Sequence, residues 1–336
     1  MRRTLFNKHF LMTLRLSAAA VLLWWVMRDL KFSELSRLSL SGFLFSFCGA
    51  LVCVCTQIFL TALRWRLLLA GQGIPLTVFR AVSLTFQGQM FSLFMPGGAV
   101  GGDVLKAAFL TRETQNGRKL EGVTTILLDR VIGMMALFLL SLTFGVCCFH
   151  RIMTFTPEIR LLTFFLLSVC LAGFTAGLVL LFQDLVFRIR FLAFLLRKAD
   201  GFLHGKLSRI LHSVEVCRRD RKRLIYAFLM SFLLLHPLLI FAAFLVIRGI
   251  SGAFPAWESA GLAVALGNTA STAPVTPGGL GTRDKVMEVV LLGGGIENSI
   301  ASLTPLIYSM VMVCGGLIGV FFFLYDSFRS GSQPQN

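Results

Sequence analysis

The stretch Gln87 to Lys106, QGQMFSLFMPGGAVGGDVLK, decides how this chain folds. It lies within strongly hydrophobic sequence, yet it holds Pro96, Gly97, Gly98, Gly101 and Gly102, followed by the opposite charges Asp103 and Lys106. In lipid a backbone broken in this way leaves N–H and C=O groups unpaired, each at several kcal/mol. Such a break is tolerated only where it is packed inside protein or lines a wet cavity. A second copy follows at Pro274-Val275-Thr276-Pro277-Gly278-Gly279-Leu280-Gly281-Thr282-Arg283-Asp284. Two breaks, one in each half, point to a site at the interface of two repeats.

The surrounding composition makes the lipid argument binding. Of 336 residues, 56% are hydrophobic and only 14% charged, against roughly 25% charged in a soluble domain. The mean hydropathy of +0.80 agrees. This is an integral membrane protein with no soluble domain of useful size. A formal net charge of +16 raises the question of nucleic acid. Lys and Arg cluster between apolar runs instead, as the positive-inside bias and attraction to anionic headgroups require, so no nucleic-acid partner is expected. Cys48, Cys53, Cys55, Cys147, Cys148, Cys170 and Cys314 lie in apolar runs without metal-site spacing and read as small hydrophobes. No metal or cofactor is expected.

The apolar runs predict six full spans, about 10–28, 40–62, 123–147, 160–182, 224–247 and 300–325. Broken elements fall at about 75–110 and 257–295, and Gly293-Gly294-Gly295 ends a short helix in the second. The first run, after a basic start and with Trp24 and Trp25, has no small-residue cleavage site and reads as a retained helix. Arg64-Trp65-Arg66 reads as a basic and aromatic interface anchor, and the loop at about 184–223 as strongly basic, with an amphipathic part at Phe187 to Leu196.

Placing the N-terminus, this anchor, the loop at 111–122 and the long loop in the cytoplasm works only if each broken element enters and leaves on one side. The two then enter from opposite faces. If each crosses fully as two short helices, the count rises to eight and the sidedness is kept. The fold class expected is therefore an all-α polytopic membrane protein with an inverted-topology repeat. It forms a single domain over 1–330, with pseudo-repeats at about 10–150 and 158–326 and a polar, disordered tail at 331–336.

Two sets of residues carry the chemistry. Asp103 after Gly-Gly, and Thr282 or Asp284 after Gly281, resemble helix N-caps. The glycine-rich turns would then aim free N–H groups and positive helix ends at an anion such as a lipid phosphate. Alternatively the glycines permit close helix packing. The second set is the charges in apolar surroundings: Arg80, Asp103, Lys106, Asp129, Arg130, Arg283, Asp284 and Glu288. Such charges are costly in lipid and face a cavity or each other. Asp129 and Arg130 point about 100° apart on a helix, so each needs a partner on another element. Asp103 and Lys106 are spaced for a local pair. Gln87, Gln89, Ser92, Asn268, Thr269, Ser271 and Thr272 line the approaches to the breaks, to bind a headgroup or satisfy backbone. His236 before Pro237 reads as a partner of a helix kink rather than a proton relay.

Pro96-Gly97-Gly98 with Gly101-Gly102-Asp103-Val104 and Lys106, then Leu128-Asp129-Arg130-Val131-Ile132-Gly133, then Pro277-Gly278-Gly279-Leu280-Gly281 resemble one family, as does Arg64-Trp65-Arg66-Leu67-Leu68-Leu69. It is the lysylphosphatidylglycerol synthase transmembrane region family, a flippase-like family of integral membrane proteins, and the likeness covers about 10–325. Lys106 stands where arginine is common, Asp284 where glutamate is usual and Ser92 where asparagine is frequent. A lysine keeps the charge but does not grip phosphate bidentately.

The resemblance implies a prokaryotic inner- or plasma-membrane protein with both termini cytoplasmic. It would move an anionic phospholipid or a polyprenyl-linked or glycolipid between leaflets, with membrane lipids and enzymes of lipid or glycan biosynthesis as partners. The aminoacyltransferase domain of bifunctional members is expected to be absent, so the chain reads as a transporter and not an enzyme. The alternatives are a lipid-modifying membrane enzyme or accessory subunit, and a membrane anchor that recruits a partner through the basic loop.

Overall fold

The computed structural model describes residues 40–95, 99–113, 118–181, 220–273 and 279–330. The first expected span, Phe187 to Leu196, most of the basic loop and the tail lie outside them, as do Pro96, Gly97, Gly98, Pro277 and Gly278. Every regular element among the described residues is helical. They are α1 (Leu40–Gly71), α2 (Val78–Phe94), α3 (Ala99–Glu113), α4 (Lys119–Cys147), α5 (Phe149–Met153), α6 (Pro157–Leu181), α7 (Arg221–Met230), a π-helical segment (Ser231–Leu235), α8 (His236–Ser251), α9 (Trp257–Ala270), α10 (Thr282–Gly293) and α11 (Asn298–Ser330). Five helices are long and apolar enough to cross a membrane: Ser41–Gly71, Glu121–Cys147, Pro157–Leu181, Arg221–Ser251 and Asn298–Asp326. These coincide with the second to sixth expected spans.

Contacts along the helices fix their directions. Gly71 packs on Arg223, Arg64 bonds Ser231, Gly49 meets Leu245, and Gly249 lies against Ser46. So α1 and α7–α8 run antiparallel over their whole length. The Arg118 guanidinium donates to the Gly73 carbonyl at 2.7 Å, which puts the start of α4 beside the end of α1. Asp326 of α11 bonds Gln87 of α2 at 2.6 Å, which brings the end of α11 to the same side. Arg66, Arg118, Arg221, Lys222 and Arg223 all lie there, and we refer to it as the basic end.

Both broken elements return to the side they come from. Arg66 donates to the Leu76 carbonyl at 2.8 Å just before α2, and Gly122 packs on Leu110 of α3 and on Ile74. The first element therefore enters and leaves at the basic end. The second starts where Trp257 meets Phe144, with ring centroids 5.7 Å apart. It ends where Gly293 packs on Phe155 and Ile159 and Gly294 on Ser259, so it enters and leaves at the opposite end. With 17, 15, 14 and 12 residues, α2, α3, α9 and α10 are each about 18–26 Å long, short of a roughly 30 Å hydrocarbon core. The re-entrant arrangement holds over eight full crossings.

Packing between the halves is reciprocal. The re-entrant α2 lies along α11, the last span of the second half, and the re-entrant α9 lies along α4, the last span of the first. With α1 against α7–α8, this is the pairing of an inverted repeat. Small residues make it possible, as expected where lipid supplies no drive for helices to associate. A Cβ on Gly319 would come within 2.2 Å of the Phe86 carbonyl oxygen, so α2 and α11 touch backbone to backbone. Leu93 before the first break, Leu280 within the second and Val313 of α11 share one buried cluster, which joins the tips of the two elements.

Candidate functional site

The first half gathers its charges around α1, α3 and α4. Arg64 grips Asp129 with two parallel hydrogen bonds, Nε to Oδ1 at 2.8 Å and Nη2 to Oδ2 at 3.0 Å. Its Nη1 donates to the Ser231 hydroxyl at 2.6 Å. Both side chains of this pair are buried, with 6% and 10% exposure. At this depth an ion pair is viable only with such geometry and the further hydrogen bonds that complete it.

The π-helical turn is part of that completion. Pro237 supplies no N–H, and the wider turn before it brings Ser231 to Arg64 while Ser231 still donates to Ala227 at 2.7 Å. His236 then reaches across to the Gly133 carbonyl on α4 at 3.0 Å, so its partner lies on another helix and not in its own kink.

Asp129 and Arg130 part as the helical geometry requires. Asp129 faces α1, while Arg130 Nε reaches Asp103 Oδ2 of α3 at 2.7 Å in a half-exposed pair. Lys106 does not pair with Asp103. Its amine stands 3.6 Å from the centroid of the Trp65 ring, buried, and forms no ion pair among the described residues. Trp65, fully buried, is held by its indole N–H on Thr125 at 3.2 Å. A desolvated cation over an aromatic face gains about 2 kcal/mol. Within reach of the Lys106 amine are Arg64, Arg130, Asp103 and Asp129, so three cations face two carboxylates.

The second half is built differently. Gly279 and Gly281 take left-handed backbone angles, φ 71° and 87°, which shape the turn into α10. Asp284 Oδ2 accepts the Gly281 N–H at 3.0 Å, and Oδ1 accepts Arg283 Nε at 3.3 Å and the Ser309 hydroxyl. Arg283, buried, also donates to Ser309 and lies over the Tyr308 ring at 5.2 Å. Tyr308 is fully buried, and its hydroxyl has no hydrogen-bond partner among the described residues.

Two further networks stand at the ends. At the basic end Arg80 pairs with Asp326, which also accepts from Ser83 at 3.1 Å and from Gln87 at 2.6 Å. At the opposite end Arg151 bonds Ser259 and lies 3.9 Å from Glu258. Burial pushes the nearby Cys148 thiol up to about 11, with Glu258 adding to the shift, so it carries no thiolate at neutral pH. Among the described residues no group of three His, Cys, Asp or Glu is placed to hold a metal.

Several sequence expectations need correction. Asp103 is not an N-cap, because α3 begins at Ala99 and takes Gly101, Gly102 and Asp103 into its first turns. The reason is contact: a Cβ on Gly102 would lie 2.2 Å from the Gly88 carbonyl oxygen, so this glycine serves the packing of α3 on α2. Arg64 and Trp65 are not an interface anchor. The helix runs on to Gly71, which leaves both buried, and only Arg66 of the three is exposed. Asp284 does cap its helix, but from the third position back to Gly281, whose N–H is thereby occupied. Ser92, Ser271 and Thr272 each donate to a backbone carbonyl three residues earlier, and Thr269 to one four earlier, which is the backbone-satisfying role.

Asp326, Ser231, Tyr308 and Ser309 were not foreseen. A phenol in the middle of the last apolar run is the one signal that marked Tyr308, and nothing local marked the other three.

With this geometry in place, comparison with known proteins gives a consistent result. The family model described as the lysylphosphatidylglycerol synthase TM region matches residues 12–319. A UPF0104 membrane protein, PH1989, of Pyrococcus horikoshii is 23% identical over 309 residues, covering 88% of this chain and 90% of its own. No solved structure matches. The chain belongs to the lysylphosphatidylglycerol synthase transmembrane region family.

Proposed function

We propose that the protein moves an anionic lipid between the two leaflets of a prokaryotic plasma membrane, with the basic end and both termini in the cytoplasm. The observation that carries this reading is Lys106, a buried cation held by an aromatic ring beside two arginine–aspartate pairs that balance each other, so that its own charge is left over. A buried excess cation is stabilised by an anion arriving from the membrane, and a phosphate is the anion that lipids carry. The re-entrant elements support it, since they enter from opposite sides and meet at α11, giving each leaflet its own approach to one interior. The absence of an ATP-binding motif in the sequence leaves a gradient or consumption of the moved lipid as the driving force.

Reconstitution in liposomes with acyl-labelled phosphatidylglycerol tests this. Transfer to the inner leaflet should exceed that of empty vesicles, and Lys106→Met should reduce it about tenfold or more, with Lys106→Arg keeping part of the rate. A protease site in the tail reports orientation in the same vesicles. If no anionic lipid moves faster than in empty vesicles, the reading fails. A changed lipid mass after incubation would replace it with a lipid-modifying enzyme.

A further inference from the structure

The second break poses a problem that the first does not. Tyr308 is fully buried, yet its hydroxyl has no hydrogen-bond partner among the described residues. Leaving such a group unmade costs about 1–3 kcal/mol, and buried hydroxyls are rarely left so. Its ring belongs to the main apolar core, and the polar groups near it are already balanced. The Arg283 charge is shared with Asp284 and Ser309, and the second Asp284 oxygen is taken by the Gly281 N–H. The Asn268 side chain is close enough to act on the Tyr308 hydroxyl, but without the geometry of a hydrogen bond. What remains there is a phenol, which donates and accepts, beside an amide, which does both as well.

This balance selects the ligand. A phosphate would meet Asp284 at a site where the buried cation, Arg283, is already neutralised. A cation would find that carboxylate already holding three donors. A hydroxyl suits it, because it accepts from one group and donates to the other at no charge cost. We propose that Tyr308 and Asn268 bind the uncharged, hydroxyl-bearing part of the moving lipid's headgroup, a polyol. The inference rests on the transport reading above, since the site is closed in this structure and must open for a headgroup to enter. It makes the second break a selectivity site, sensitive to headgroup hydroxyls rather than to charge.

The test compares acyl-labelled lipids of equal charge: phosphatidylglycerol and phosphatidylinositol, a linear and a ring polyol, against phosphatidylmethanol, which has no headgroup hydroxyl. In liposomes the native protein should move at least one polyol lipid about tenfold faster than phosphatidylmethanol, one well-placed hydrogen bond at a buried site. Tyr308→Phe and Asn268→Ala should each bring that ratio close to one. Which polyol responds tells the linear from the ring headgroup. Equal rates for all three lipids in the native protein overturn the proposal and leave transport standing, as does a ratio unchanged in Tyr308→Phe, the result expected if only water meets the hydroxyl. If none of the lipids moves, the transport reading itself falls. Retention of the same lipids on the solubilised protein, read by native mass spectrometry, then decides the site alone: equal retention of all three overturns it.

Discussion

At the first break α3 carries Asp103 and Lys106 against α1 and α4, where Arg64, Asp129 and Arg130 make a cation-rich cluster spread over three helices. At the second, α10 carries Arg283 and Asp284 against α11, and the two neutralise each other through Ser309 within one turn. The glycines differ in the same way. Gly102 is needed because another backbone lies in contact with it, whereas a Cβ on Gly281 would meet nothing and its need is the positive φ. The same Pro-Gly-Gly spelling thus stands in both halves of the inverted repeat, while the described residues that follow it have unlike surroundings. Among the described residues, the first holds a charge that is not fully answered and the second a hydroxyl that has no hydrogen-bond partner.

The largest effect should come from breaking the ion pairs. Arg64→Met strands Asp129 in a buried, dry place and should destabilise the protein by about 3–5 kcal/mol, while Arg64→Met with Asp129→Leu should recover most of that. Arg283→Met should cost about 1.5–3 kcal/mol, because Asp284 keeps the Gly281 N–H and the Ser309 hydroxyl and is partly exposed. Thermal unfolding in detergent, followed by tryptophan fluorescence, ranks the two. Equal losses would mean that the clusters are not as different as their geometry says.

The glycines come next. Gly102→Ala forces α3 away from α2 and should cost about 3 kcal/mol. Gly267→Ala places a Cβ 3.1 Å from the Arg283 carbonyl oxygen, a contact relieved by a few tenths of an ångström, and should cost about 1 kcal/mol. The same unfolding measurement applies, and a Gly102→Ala protein as stable as the native one would remove the close approach of Gly88 and Gly102.

Much of this was legible in the sequence, for identifiable reasons. A run of twenty apolar residues has one meaning in lipid, so the second to sixth spans were placed to within a few residues of Leu40–Gly71, Lys119–Cys147, Pro157–Leu181, Arg221–Ser251 and Asn298–Ser330, except that α1 runs nine residues past the expected end. The sidedness argument on Lys and Arg left both re-entrant breaks and double crossings open, and the shortness of α2, α3, α9 and α10 favours the first. The partners of the charges were not legible. That Asp129 needs a partner on another element follows from helix geometry, but that the partner is Arg64, 65 positions away, follows only from packing. Asp103 misled because a Gly-Gly-Asp string reads locally as a cap, and the glycines were answering a contact with Gly88 that no local pattern encodes.

The smallest effect concerns the ends, where the two elements are again unlike. Arg80, Ser83 and Gln87 of α2 all converge on Asp326, tying the first re-entrant element to the last helix. At the other end the second element is held to α5 by Arg151 on Ser259 and, more loosely, Glu258. The Arg80 and Asp326 side chains are each 24% exposed, so solvent screens the pair and Asp326→Asn should cost about 1 kcal/mol or less. Its consequence should instead be directional. With the carboxylate gone, α2 is held less tightly to α11 at the basic end while the opposite end is untouched, so an approach from the basic end should open more often. Cysteine at Ser83 should then react faster with a water-soluble maleimide in Asp326→Asn than in the same protein with Asp326 kept. Cysteine at Ser259, the matching position at the other end, should react at the same rate in both. Equal acceleration at the two positions would show that the ends are coupled rigidly, and unchanged rates at both would show that Asp326 is a packing residue with no part in holding α2.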